Sequence, residues 1–246
     1  MIYFASDVHL GAGSAKESRL VEQRFVTWLD SIGHDAEALY LMGDIFDFWF
    51  EYRRVVPKGF VRVLSKLAAL SERGVKVVFF TGNHDMWVRD YLTKECGVEI
   101  FTSPQVVELR GRKVLLAHGD NMNIGGDVML RMMNGMFRSS LLRWLFSWLI
   151  HPDLALKFGQ WWSGNSRKRH MRETLTESCT DILIDYARGY IQQSPDVQDY
   201  VFGHMHYARQ VVEPQMRVTL LGEWEAEPTY AMMDNDGNIT LKKFAL

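Results

Sequence analysis

"LYLMGDIFDFW" (residues 39–49) runs four mostly apolar residues straight into Gly43-Asp44 and sets a second carboxylate, Asp47, three residues later among aromatics. An apolar run ending in Gly-Asp has the form of a buried strand whose C-terminal tip exposes one carboxylate, and strand tips are where open α/β sheets hold their ligands. Alone, such a tip reads more readily as ordinary turn chemistry. The chain repeats it: "SDVHLG" offers Asp7 and His9, "MGDIFD" Asp44, "TGNHD" Asn83 and His84, "AHGD" His118, and "FGHMH" His204 and His206. Five of the eight histidines sit at such ends, more than turn formation requires.

Outward from these tips the chain has an α/β pattern. Residues 2–6, 38–42, 76–81 and 113–117 are short apolar strands, and between them "RLVEQRFVTWLDSI" and "GFVRVLSKLAALSERG" show helical spacing. This alternation is that of βαβ units with right-handed crossovers. Beyond a long helical stretch reaching about Gln193, "DYVFGH", "RQVVE", "RVTLLGEW", "TYAMMD" and "NITLKKF" read as successive strands, the last two joined by the hairpin turn "DNDGN". The expected architecture is an α/β (α+β) β-sandwich flanked by helices, formed by residues 1–246 as one domain.

Composition narrows the class. The 246 residues are 47% apolar, enough for a sizeable core, and the two cysteines lie far apart and outside the tips, which fits a reducing cytosol. The N-terminus lacks the pattern of a signal peptide, and no apolar run is long enough to span a bilayer. The net charge of −2 conceals a segregation: residues 131–172 hold eight Lys and Arg against one acid, Asp153, together with four of the eight tryptophans. This stretch differs in kind from its flanks, so residues 125–172 are expected to be an inserted helical lid.

Asp-x-His and His-x-His place both side chains on one side of an extended strand end, within reach of one ion. A donor set of His, Asp and Asn without thiolates suits Mn, Fe, Zn, Co or Ni. Seven such donors are too many for one tetrahedral ion and about right for two octahedral ions sharing a bridging carboxylate, for which Asp44 on the central tip is the candidate. Asp85 either orients His84 or caps a following helix, and Asp47 either supports a metal-bound imidazole or caps a helix beginning at "FWFEYRR".

The series Asp-x-His, Gly-Asp, Gly-Asn-His-Asp, His and Gly-His-x-His, over residues 5–206, resembles the calcineurin-like metallophosphoesterase superfamily. The resemblance implies that Asp7, His9, Asp44 and His206 hold one metal and Asp44, Asn83, His118 and His204 the other, with His84 as proton donor or phosphate stabiliser. "GDIFDFW", "HGD", "GNSRK" and "LLGEW" further resemble the branch of UDP-2,3-diacylglucosamine diphosphatases of lipid A biosynthesis. That branch implies Mn²⁺, a lipid-linked UDP-sugar substrate, a cytoplasmic location on the anionic inner membrane surface, and substrate contacts from Asn83, Asp127, Asn165 and Ser166. Many of its members carry Arg at the position of His84, where "GNHD" resembles the general phosphoesterases instead.

The insertion supports an amphiphilic substrate independently, being rich in Leu, Met, Phe and Trp and rimmed by Arg138, Arg143, Arg167, Lys168, Arg169 and Arg172. Trp144 and Trp148 are its candidate acyl-chain anchors, and Arg167 and Arg172 candidate partners of the diphosphate. The competing readings are a helical hairpin merely packed on the sandwich, and a phosphatase or phosphodiesterase for another phospholipid, nucleotide or small phosphoester. A nuclease fits less well with a pI near 6.4, so no nucleic acid is expected, and no obligate protein partner is evident.

Overall fold

β1 (Ile2–Ala5), β2 (Ala38–Leu41) and β3 (Lys76–Phe80) are buried along nearly their whole length, as strands of a parallel sheet covered on both faces are. In the computed structural model, which describes residues 1–122, 135, 139–172 and 177–245, they run parallel to one another and to β4 (Glu99–Phe101). Two antiparallel strands, β10 (Thr229–Met233) and β11 (Ile239–Lys243), extend the β1 edge to give the order β11-β10-β1-β2-β3-β4. A second sheet has the order β5-β6-β7-β9-β8, from Gln105–Leu109, Arg112–Ala117, Val197–Phe202, Met216–Leu221 and Ala208–Glu213. Its central strands β6, β7 and β9 are parallel, and β5 and β8 close its edges antiparallel.

The alternation of side chains decides the layers. Ile2 and Phe4 of β1 point into the space between the sheets with Tyr40, Val78, Phe80, Leu116 and Val201, whereas Tyr3 and Ala5 face the opposite way, under the helices. That outer face is covered by α1 (Ala15–Ile32), α2 (Val61–Glu72) and α3 (Tyr91–Cys96). α1 begins with a capping box between Ser14 and Glu17 and buries Val21, Phe25, Trp28, Leu29 and Ile32 at helical spacing. Phe25 and Trp28 meet Trp224, which follows β9 and is fully buried. Each such ring contributes on the order of 1.5 to 3 kcal/mol of apolar burial. On the far side α6 (Asp181–Gln193) packs Leu183, Ile184, Ala187 and Ile191 against the second sheet.

The predicted α/β sandwich with flanking helices is the observed fold, and the strands read from the sequence fall where expected. The segment before 113 instead holds two further strands, β4 and β5. The helical stretch ending near Gln193 resolves into α5 (Pro152–Arg172), a short 3-10 turn (Glu177–Thr180) and α6. No helix begins at Phe48, so Asp47 caps none: this chain stays irregular and bridges Phe50 to Trp87.

The described part of residues 125–172 contains α4 (Ser140–Leu149) and α5. Phe146 of α4 seats on Phe50 and Trp87, Tyr52 Oη donates to the Ile150 carbonyl at 3.0 Å, and Gly159 of α5 lies against Phe48. A Cβ at Gly159 would fall 2.4 Å from three ring carbons of Phe48, so the helix descends this far only with glycine. Ala155 and Ser163 of α5 are also buried, whereas Trp144 and Trp148 of α4 stack on each other while 60% and 75% exposed. Among the described residues no helix is long and apolar enough to cross a membrane.

Candidate metal centre

All five candidate tips lie at the C-terminal ends of parallel strands, so topology alone carries them to one end of the sandwich. β1, β2 and β3 deliver Asp7 and His9, Asp44, and Asn83 and His84 from one sheet; β6 and β7 deliver His118, and His204 and His206, from the other. Backbone bonds lock the tips together: Asp7 N to Gly43 O at 3.1 Å, His9 N to Asp44 O at 3.0 Å, and Gly203 N to His118 O at 3.0 Å.

The donors sit on unusual backbone. Of seven non-glycine residues with positive φ among those described, five are Asp7 (52°), His9 (48°), Asp44 (53°), His204 (69°) and His206 (52°). Left-handed conformations cost L-residues on the order of 1 kcal/mol or more, and they gather where side chains must be aimed at a common point. The glycines beside them serve close approach. A Cβ on Gly43 would lie 2.5 Å from His118 Nδ1, and one on Gly82 2.2 Å from Asp44 Oδ1.

Three overlapping groups each bring their donor atoms within 4.8 Å of one another: Asp7, His9 and His206; His9, Asp44 and His84; and Asp44, His118 and His204. In the first, the Nε2 atoms of His9 and His206 face each other at 3.1 Å, with Asp7 Oδ1 3.8 Å from one and 3.2 Å from the other. Asp7 Oδ1 is buried and accepts no hydrogen bond among the described residues. Two converging imidazole nitrogens and an unsatisfied carboxylate oxygen suit a cation. In the third group His118 Nε2 lies 3.4 Å from Asp44 Oδ2 and 3.2 Å from Asn83 Oδ1, while its Nδ1 is held at 2.8 Å by the Met42 carbonyl. That carbonyl accepts the Nδ1 proton and leaves Nε2 as the ligating nitrogen, the orientation typical of a metal-bound imidazole.

The two carboxylates and two of the imidazoles are held in the forms that a cation needs. Burial opposes ionisation of Asp7, but His206 beside it outweighs burial and draws the carboxyl down to about 2. Burial acts likewise on Asp44 and is overcome by His118 and His84, which hold it well below the carboxylate range. Burial, reinforced by His206, keeps His9 far below the ordinary imidazole value, and burial with His118 draws His204 down to about 4. His118 and His206 move the other way: burial lowers both, but Asp44 outweighs it and holds His118 well above the ordinary imidazole value, and Asp7 likewise raises His206, so a divalent ion seated on these two rings displaces a proton from each.

His84 N donates to Asp44 Oδ1 at 2.8 Å, and its ring places Nε2 3.9 Å from Asp44 Oδ2. Its Nδ1 faces the Asp47 carbonyl at 3.0 Å and the Ser163 hydroxyl at 2.8 Å. Asp47 thus adjoins the metal-facing imidazoles, with Oδ1 3.8 Å from His9 Nδ1 and 3.9 Å from His84 Nδ1. Asp85 takes neither expected role. Its Oδ1 accepts Gly82 N at 2.7 Å and its Oδ2 accepts Ile45 N at 2.8 Å and Phe46 N at 3.3 Å, so this carboxyl ties the β2 tip to the β3 tip. Burial and the adjacent Asp44 push it up to about 7. Asp85→Ala strands three buried N–H groups, and a loss of about 3 kcal/mol or more is expected in chemical denaturation; a change below about 1 kcal/mol would show that the tips hold without it.

The structure brings the candidate donors read from the sequence together at one end of the sandwich and adds Ser163 beside them, whose only local signal is the "GNSRK" that follows it. Trp144 and Trp148 stand apart from the donors, on the outer face of α4. Asp127 lies outside the described residues, as do the side chains of Asn165, Ser166, Arg167 and Arg172, whose backbone belongs to α5. Beside the donors Asn83, His84, Trp87, Phe158, Trp162 and Ser163 line a small pocket, and Trp87 and Phe158 also line a second one. There Phe50, Trp87, Leu142, Phe146, Leu149 and Phe158 line an apolar groove of about 310 Å³, with Arg143 as its charged wall.

A profile for calcineurin-like phosphoesterases matches residues 1–208. A UDP-2,3-diacylglucosamine hydrolase of Porphyromonas gingivalis is 40% identical over 246 residues, covering 95% of this chain and 94% of the relative. A protein of the same name from Histophilus somni is 28% identical and covers 96% and 97%. Among solved structures, an archaeal phosphodiesterase superposes with a TM-score of 0.51 at 12% identity over 99% of both chains, a likeness of fold.

Proposed function

This chain belongs to the calcineurin-like phosphoesterase family, and we propose that it hydrolyses the diphosphate of UDP-2,3-diacylglucosamine to UMP and 2,3-diacylglucosamine 1-phosphate. The observation that carries this reading is the identity of 40% to a UDP-2,3-diacylglucosamine hydrolase across nearly the whole of both chains. The apolar groove supports it, since it shares Trp87 and Phe158 with the pocket beside the donors and a diacylated sugar needs its phosphates and its acyl chains held side by side.

In this reading Asp7, His9, Asp44 and His206 hold one divalent ion, and Asp44, Asn83, His118 and His204 the other, with Mn²⁺ the ion we assign. Such ions neutralise phosphoryl oxygens and bring a water within reach of deprotonation at neutral pH. The chain itself orients the reactants. Asp44 belongs to two of the three donor groups. His84 directs Nε2 towards the donors while Nδ1 is held from behind, so it can give a proton to the leaving oxygen. Residues 125–172 act as a lid on the single catalytic domain; Asp127, Asn165, Ser166, Arg167 and Arg172 engage the head group, and the exposed apolar hairpin rests on the anionic inner membrane surface.

The decisive assay measures UMP release from UDP-2,3-diacylglucosamine with and without Mn²⁺, beside bis(p-nitrophenyl) phosphate as a small soluble phosphodiester. Turnover of the small diester without UMP release would move the protein to another phosphoester substrate. In the same assay Trp144→Asp with Trp148→Asp should lower lipid turnover about tenfold or more by removing two apolar anchors, and spare the small diester. Equal loss on both substrates with a lowered melting temperature would assign the two rings to packing.

A further inference from the structure

We propose that Ser163 is a positioning residue for His84, so that the seating of the inserted helix sets the orientation of the imidazole at the centre. This rests on the role given to His84 above. Ser163 lies on α5, most of whose described neighbours face solvent, yet it is 1% exposed. Its Oγ donates to Asp47 Oδ1 at 2.5 Å and stands 2.8 Å from His84 Nδ1.

Proton counting gives the arrangement its meaning. A hydroxyl has one hydrogen, and here it goes to the Asp47 carboxylate. Ser163 therefore presents lone pairs to His84, and the second group at Nδ1, the Asp47 carbonyl at 3.0 Å, is an acceptor as well. Both contacts are satisfied only when Nδ1 carries hydrogen, which directs Nε2 to the side of Asp44, 3.9 Å away. Asp47 belongs to the β2 tip and Ser163 to the insertion, so the ring is clamped only while α5 is down. Gly159, one turn earlier, admits that position through its contact with Phe48.

The test uses the metal-loaded enzyme and both substrates of the assay above. Ser163→Ala should lower kcat on the order of 10- to 100-fold with KM nearly unchanged, on the small diester as on the lipid, the range seen when a partner that orients a site imidazole is removed. Ser163→Thr, which keeps the hydroxyl, should restore most of that loss. In a His84→Ala background Ser163→Ala should cost nothing further, since its effect passes through the ring. Gly159→Ala, lifting the helix, should reproduce the kcat loss. A raised KM at unchanged kcat, an added loss in the His84→Ala background, or full kcat in Gly159→Ala would each overturn the proposal. The two readings fail separately: if no UMP is released the substrate assignment falls while the small diester still tests Ser163, and if His84→Ala is fully active the role of His84 and this proposal fall together.

Discussion

Asp44→Ala is expected to abolish measurable hydrolysis and to leave fewer than two divalent ions per chain. Its two oxygens do different work: Oδ1 accepts the His84 backbone N–H, and Oδ2 lies 3.4 Å from His118 Nε2, where the donor groups overlap. Removing the carboxylate deletes the donor that two of the groups share, takes away the negative charge that would screen two neighbouring cations from each other, and sets alanine at a φ of 53° with no compensating contact. Charge neutralisation at a transferring phosphoryl group is worth several kcal/mol, so a loss on the order of 10³- to 10⁴-fold follows, close to assay background. Asp44→Asn keeps the shape and removes the charge; it should lose nearly as much activity while melting close to the parent. Elemental analysis beside turnover checks both, and near-normal turnover in either would end the two-ion reading.

His84→Ala should keep both ions and slow hydrolysis by about 10²- to 10⁴-fold, the range of a lost proton-transfer group. Metal content is the informative measurement here, because His84 also falls within a donor group with His9 and Asp44. An ion lost together with the activity would make it a ligand. Ions retained with a small effect, below about fivefold, would leave it a bystander.

The strands and the donors were legible because both obey short-range rules. Apolar runs ending in Gly-Asp, Gly-Asn-His and Gly-His predict tips, and parallel strands bring their tips to one end without further instruction. The roles of Asp85 and Ser163 were not legible, and for Asp47 the sequence left two roles open, since each is decided across the fold. Asp85 reaches backbone 40 and 39 residues away, and Ser163 meets Asp47 at a separation of 116. No periodicity encodes such contacts. Asp47 preceded a stretch of helix-compatible residues, but burial of Phe50 against Trp87 and Phe146 outweighs local helix propensity there.

The donors of the first group come from opposite ends of the chain: His9 meets His206 across 197 residues. A ribosome delivers Asp7, His9, Asp44 and Asn83 early, and the parallel strands that carry them can assemble around α1 and α2 while the rest is still being made. His204 and His206 arrive only after β7, and β10 and β11, which cover the β1 edge, arrive later still. If the centre holds two ions, their tight capture therefore waits until β7 has been made, and an arrested or clipped product that lacks β7 would be left with carboxylates gathered at one end of a half-built sandwich and too few imidazoles to retain a metal.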